Sequence, residues 1–267
     1  IENGSIDYPF ALVAPVLQAA DYTIGNLETA LGSVGEPVAK RYPFRSPPAA
    51  AESLSRAGFD LVSLANNHAQ DYGPEALLQG IDLLPAQNVA TIGAGATAAA
   101  AYAPHIAEIN GLTVAFLGYV NVPIEAATNF DTASWTATAD APGLAWGDPE
   151  RIEQPSEEQV ATAQAATEAG ADVVIGHHAH ILQGVQYHAD GVIAYGLGNF
   201  AFNIDGPPET AVLNVWMDRD GVRQIEVRPA FVQEGGQPRM AEQWETGPIL
   251  ERVHYLTVLL NVAMPTP

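Results

Sequence analysis

The chain has 267 residues, 48% hydrophobic and 15% charged, which is enough apolar material for a buried core and too little polar low-complexity sequence for disorder. Its 31 acidic residues against 10 basic ones give a formal net charge of -21, a field that repels nucleic-acid backbones and anionic membranes, so no nucleic-acid partner is expected. Cysteine is absent, which excludes a disulfide framework and thiolate chemistry, and no apolar run reaches the roughly 18 residues that span a bilayer.

One pattern recurs three times: a helical segment ending in small residues, an aspartate, a short apolar strand and a polar cluster. The first copy runs from Asp21 through Ile24-Gly25 into Asn26-Leu27-Glu28. In the second, Ser46 caps a helix with Pro47 at its first position, Gly58 ends it in a left-handed conformation, and Asp60-Leu61-Val62-Ser63-Leu64 leads into Asn66-Asn67-His68. A helix beginning near Pro74 and strands at 89–92 and 112–117 follow. Residues 121–155, rich in Ala, Thr, Asp and Pro and without periodicity, read as loops or an insertion. The third copy opens with a capping box at Ser156-Glu157-Glu158-Gln159, stops at Gly170, and passes from Asp172 through Ile175-Gly176 into His177-His178-Ala179-His180. Then come a strand at 192–195, an antiparallel hairpin over 211–232 broken by 218–221, and a final amphipathic helix at 249–262 that packs on the body.

Short β-branched strands alternating with helices predict an α/β chain, one domain over 1–267, with a mostly parallel central sheet and a C-terminal antiparallel hairpin. Ligands of such sheets sit at the carboxyl ends of the strands. All three polar clusters fall at that edge, so one cavity lined by Glu28, Asn67-His68 and His178/His180 is the expectation.

His178 and His180 flank one small residue. Neutral imidazoles suit Zn, Mn or Fe, and an extended His-x-His turns both rings to one side, with His177 to the other; a histidine-rich turn without metal is the competing reading. Asn67 offers a carbonyl to a metal and His68 a proton to a leaving group, unless Asn66 and Asn67 merely turn the chain. Asp71 either orients His68 or caps the following helix, the commoner use. Glu28, beside Asn26, offers a carboxylate for metal or general-base work, or else pairs with Arg41 or Arg45. Asn199 follows Gly196 and Gly198, which either let a ligand approach the backbone or simply turn the chain. Asn26, Asn66, Asn199 and Arg45 are the candidate substrate contacts. Lysine occurs once, at Lys40, and with Arg41 and Arg45 it reads as an anion contact or a solvated loop. His105, His188 and His254 read as structural.

The ordered set Asn26-Leu27-Glu28, Leu64 to His68 with Asp71-Tyr72-Gly73, Gly93-Ala94-Gly95, Gly176 to His180 and Tyr195 to Phe200 resembles the CapA-like bacterial capsule-synthesis (poly-γ-glutamate) family across nearly the whole chain. That family is similar in fold to calcineurin-like metallophosphoesterases, so the resemblance implies a layered α/β fold of that type. Carried over by position, Asn67, His178 and His180 would be ligands of a two-metal site and His68 the proton donor or charge stabiliser. The sequence departs from the pattern at three places. A first strand ending in Gly-Asp has no counterpart before Asn3. Trp146-Gly147-Asp148 stands where a His-x-Gly-Glu-like segment is expected between Gly143 and Glu158, and Asn26 replaces a bridging aspartate. The resemblance thus carries the fold without carrying a complete two-metal centre.

Its functional implication is a cell-envelope protein of capsule or poly-γ-glutamate synthesis or export. Such a protein would be extracytoplasmic, at the cell surface or membrane-anchored through an upstream segment, with an anionic polymer or capsule-synthesis membrane proteins as partners. The alternatives are a metal-dependent hydrolase of a phosphoester or envelope-polymer amide, and a non-catalytic polymer-binding module.

Overall fold

The computed structural model describes residues 5–120, 122, 124–125, 130–146, 155, 157–202 and 206–263. The chain divides into two compact units, residues 1–149 and 150–267. The expected insertion at 121–155 is described only in part: residues 121, 123, 126–129, 147–154, Ser156 of the capping box and the Gly147-Asp148 pair lie outside the described residues.

The first unit opens with α1 (Ala14–Leu17), β1 (Ile24–Asn26) and two short strands, β2 (Ala30–Leu31) and β3 (Arg45–Ser46). It continues through α2 (Ala49–Ala57), β4 (Leu61–Ser63), α3 (Gly73–Leu83), β5 (Ala90–Ile92), β6 (Ala94–Gly95) and α4 (Ala98–Ala101). Its later strands are β7 (His105–Ile109), β8 (Leu112–Phe116), β9 (Ile124–Glu125), β10 (Phe130–Asp131) and β11 (Gly143–Leu144). β1, β4 and β5 form a parallel three-stranded sheet in that order, with Ile24 opposite Leu61 and Leu61 opposite Ala90. Leu61, Val62, Leu84, Val89 and Leu144 are almost wholly buried. At about 1.5–3 kcal/mol per large apolar side chain, this burial is what fixes such short strands.

Two expectations are corrected here. Ser46 pairs with Leu31 in the β2–β3 ladder, and α2 starts three residues later, behind Pro48. Gly58 does close it at φ 99°, donating to Leu54 O and Ser55 O. The segment at 112–117 forms a strand, but β8 pairs antiparallel with β7 and does not join the parallel sheet. The reason is the Asn110-Gly111 turn between them, with φ of 50° and 83°, the pair of positive angles a tight hairpin needs.

The second unit begins with α5 (Glu157–Glu168) and β12 (Val173–Ile175), followed by β13 (Val185–His188) and β14 (Gly191–Ala194). β14 lies between the other two, parallel to β12 and antiparallel to β13. The expected hairpin is present as β15 (Glu209–Asp218) and β16 (Gly221–Val232), with β17 (Pro238–Met240) on its outer side.

The last helix, α6 (Gln243–Ala263), begins six residues before the expected start. Glu245 explains that: its carboxylate accepts from Glu242 N–H at 2.7 Å, closing the helix start, and is gripped by both Arg239 Nη atoms at 2.6 Å. Ile249, Val253 and Leu260 pack into the unit's cores, as expected of a helix laid on the body. Trp244, Tyr255 and Val258 stay exposed, so its apolar residues are not confined to one face.

Candidate metal and proton-transfer residues

In the first unit the polar clusters share the carboxyl edge of the parallel sheet. Asn26 ends β1, Glu28 follows it, and the Asn66-Asn67-His68 run follows β4. Register brings them together, because Leu27 N–H donates to Ser63 O at 3.0 Å. Asn66 is the hub. Its Nδ2 donates to Asn26 Oδ1 at 3.0 Å and Leu27 O at 2.9 Å, while its Oδ1 accepts from His68 N–H at 3.0 Å. Asn26 Nδ2 in turn donates to Glu28 Oε2 at 3.1 Å. Asn66 is only 2% exposed and all its bonds run inside the protein, so it organises the loop that carries His68.

Asp71 does not cap the following helix: Tyr72 holds the N-cap position, without a side-chain cap. Asp71 instead orients His68, with Oδ2 2.7 Å from Nδ1 and no solvent exposure of its own side chain. A 2.7 Å contact with a carboxylate requires Nδ1 to carry the proton, which leaves Nε2 as the nitrogen able to exchange one. The Phe44 ring stacks on the imidazole, with centroids 4.3 Å apart. Lys40, read from sequence as a loop cation, is fully buried and ion-paired with Asp71 at 2.8 Å. Arg45 is exposed and stacks on Tyr72 at 4.1 Å, with a bond to Gly35 O; Arg41 lies over Tyr42.

In the second unit the histidine run follows β12 and Asn199 follows the parallel β14. His180 Nδ1 lies 2.7 Å from Asn199 Oδ1. An amide oxygen only accepts, so Nδ1 carries the hydrogen and the neutral ring keeps its lone pair at Nε2, the tautomer in which a bound histidine presents a metal-binding nitrogen. His178 and His180 bring one ring nitrogen each within 4.8 Å of one another.

The extended His-x-His geometry is corrected: His178 and His180 have φ of 81° and 58°, both left-handed. Histidine is among the side chains enriched there, yet such a residue is held at a cost on the order of 1 kcal/mol, the kind of strain that gathers at ligand sites. Asn199 thus touches His180. Gly196 and Gly198 serve the chain itself: a Cβ on either would meet backbone oxygens of Ile181 or Glu209 within 3 Å. Tyr195, just ahead of them, donates to Gln186 Oε1 at 2.8 Å, and burial pushes its phenol up to about 12.

With two imidazoles of this chemistry, the second unit's donor set fits a borderline divalent ion such as Zn, Mn or Fe. The family model described as bacterial capsule synthesis protein PGA_cap matches residues 1–146 and 143–204. The chain belongs to this family. Within the capsule synthesis family it is similar to the PGA biosynthesis protein CapA of Bacillus subtilis (strain 168), 26% identical over 263 residues, 87% of this chain and 67% of the relative. It is 28% identical over 263 residues to the capsule biosynthesis protein CapA of Bacillus anthracis, covering 88% of this chain and 64% of that one. A probable polyglutamine synthesis accessory protein of Mycobacterium tuberculosis (strain ATCC 25618 / H37Rv) is 25% identical over 240 residues, with 60% of its length covered. The chain thus spans about two thirds of these relatives. The capsule synthesis match includes every polar cluster described above.

Proposed function

We propose that this protein is an accessory component of capsule or poly-γ-glutamate synthesis or export, working extracytoplasmically in the cell envelope. The observation that carries the role is the family match, which runs through both units as far as residue 204. The fold that goes with this reading is the layered, calcineurin-like one. Among the described residues no helix is long and apolar enough to cross a membrane.

The proposed site is a divalent-metal centre of metallophosphoesterase type. His178 and His180 would hold the ion in the second unit; in the first unit, Asn67 is the ligand that the family resemblance implies and Glu28 offers a carboxylate for metal or general-base work. A bound divalent ion would supply Lewis-acid polarisation and activation of water. His68, held by Asp71 through Nδ1, offers Nε2 for proton transfer to a leaving group. A net charge of -21 repels an anionic polymer, and a cation at the site would offset that repulsion locally. This favours a role in contacting or trimming such a polymer. Deleting the gene in an organism that makes a surface γ-glutamyl polymer is expected to lower the polymer at the cell surface; an unchanged amount would contradict the role.

A further inference from the structure

We propose that Lys40 is a positioning residue for Asn67 and His68. The inference deepens the site reading above and rests on it for its effect on metal binding.

The side chain of the only lysine in the chain is withdrawn from solvent, 0% exposed. Taking an ammonium out of water carries an effective penalty of several kcal/mol, and lysine is almost never fully buried unless paired. A buried ion pair is also a poor device for stability, because apolar residues of similar volume do as well or better. Geometry shows what the ion does. Nζ donates to the Asn67 carbonyl at 2.6 Å and to Asp71 Oδ1 at 2.8 Å, and lies 3.3 Å from His68 Nδ1 and 5.5 Å from the centre of the Trp135 ring.

Each contact fixes a different part of the site. The Asn67 carbonyl belongs to the planar peptide joining Asn67 to His68, so holding it sets the direction from which both side chains leave the backbone. Asp71 is held on both oxygens: Oδ1 by Lys40, Oδ2 by His68 and by Phe44 N–H at 2.6 Å. With Oδ1 tied, the carboxylate cannot turn away from the imidazole. Lys40 and Phe44 come from one loop, whose Val38 N–H donates to Asp71 O at 2.9 Å, and Phe44 stacks on the ring that Asp71 orients. The loop from Val38 to Phe44 therefore straps the Asn67–Asp71 segment from outside the sheet. Lys40, whose side chain has no exposed surface, acts through Asn67, Asp71 and His68 and does not touch substrate.

The test reads the His68 ring directly. Buried and bonded to Asp71, the His68 Nδ1 proton should give a low-field proton NMR resonance in the wild-type protein, assigned by its loss in His68→Gln. In Lys40→Met, folded by circular dichroism, that resonance is expected to shift or vanish, and Mn²⁺ affinity to fall by about 10-fold, as when ligand-supporting contacts are lost. An unchanged resonance in the folded variant, or no such resonance in the wild type, would overturn the proposal. If Lys40→Met does not fold, Lys40→Gln, which keeps a donor and removes the charge, is read in the same way. Failure of both to fold would also overturn it, making Lys40 a residue of the fold alone. A wild type that binds no Mn²⁺ while the resonance still moves would sink the metal reading and leave the positioning role standing.

Discussion

His68 Nδ1 and Asp71 Oδ2 sit 2.7 Å apart, three residues from each other in sequence, with the Asp71 side chain wholly buried. Asp71 is also paired to Lys40, so the imidazole faces a carboxylate whose charge is already partnered.

That arrangement sets the first prediction. Asp71→Asn leaves a buried ammonium without its counter-charge, and removing one partner of a buried pair destabilises by about 3–5 kcal/mol. Urea unfolding should show a loss of this order. Adding Lys40→Met should return part of it, because no unpaired charge then remains buried. A double variant less stable than Asp71→Asn would contradict this reading of the pair.

Asn199 supports His180 through Nδ1. Asn199→Ala should leave the fold intact and weaken Mn²⁺ or Zn²⁺ binding by about 10–100-fold, the usual effect of losing a contact that orients a ligand. Competition titration with a chelating dye measures it; unchanged affinity would remove Asn199 from the site.

The Arg239–Glu245 pair at the start of α6 predicts an acid response. Hydrogen bonding to Arg239 holds the Glu245 carboxyl down at about 2, below its ordinary value of 4.5. A depressed carboxylate stabilises the folded state above the unfolded value and loses that contribution as pH falls toward the folded one. The stability difference between wild type and Glu245→Gln should therefore be largest above pH 4.5 and shrink as pH falls toward 2. A difference constant over that window would contradict the assignment.

Gly58→Ala should destabilise by more than about 1 kcal/mol, since a Cβ is strained at φ 99° and would meet Gln18 backbone atoms at 3.2 Å. Thermal unfolding reads this directly, and a neutral or stabilising outcome would contradict the left-handed cap.

Much of the fold was legible because local signals and tertiary packing agree. The strands following Asp21, Asp60 and Asp172, the hairpin at 211–232 and the stop at Gly58 all carry their own punctuation. Asn110-Gly111 carried a hairpin signal too, but the apolar run after it read equally well as a parallel strand. The candidate site was legible as residue types and edges, since strand ends collect polar loops. Its internal wiring was less so. Asp71 is spaced to serve either His68 or a helix cap, and contacts from Val38 and Phe44 decide between them. Lys40 reaches Asn67 and Asp71 across 27 and 31 residues, a distance at which no periodicity reports a buried cation. The left-handed turns at His178 and His180 carry only a weak composition signal, because the usual marker of that conformation is glycine and histidine adopts it far less often.

Metal content tests the proposed site most directly. Protein expressed with Mn, Zn and Fe supplied, then analysed for bound elements, should carry near-stoichiometric amounts of one of them, and His178→Ala and His180→Ala should lose it while remaining folded. Metal-free wild-type protein, or variants that retain the full metal load, would contradict the account.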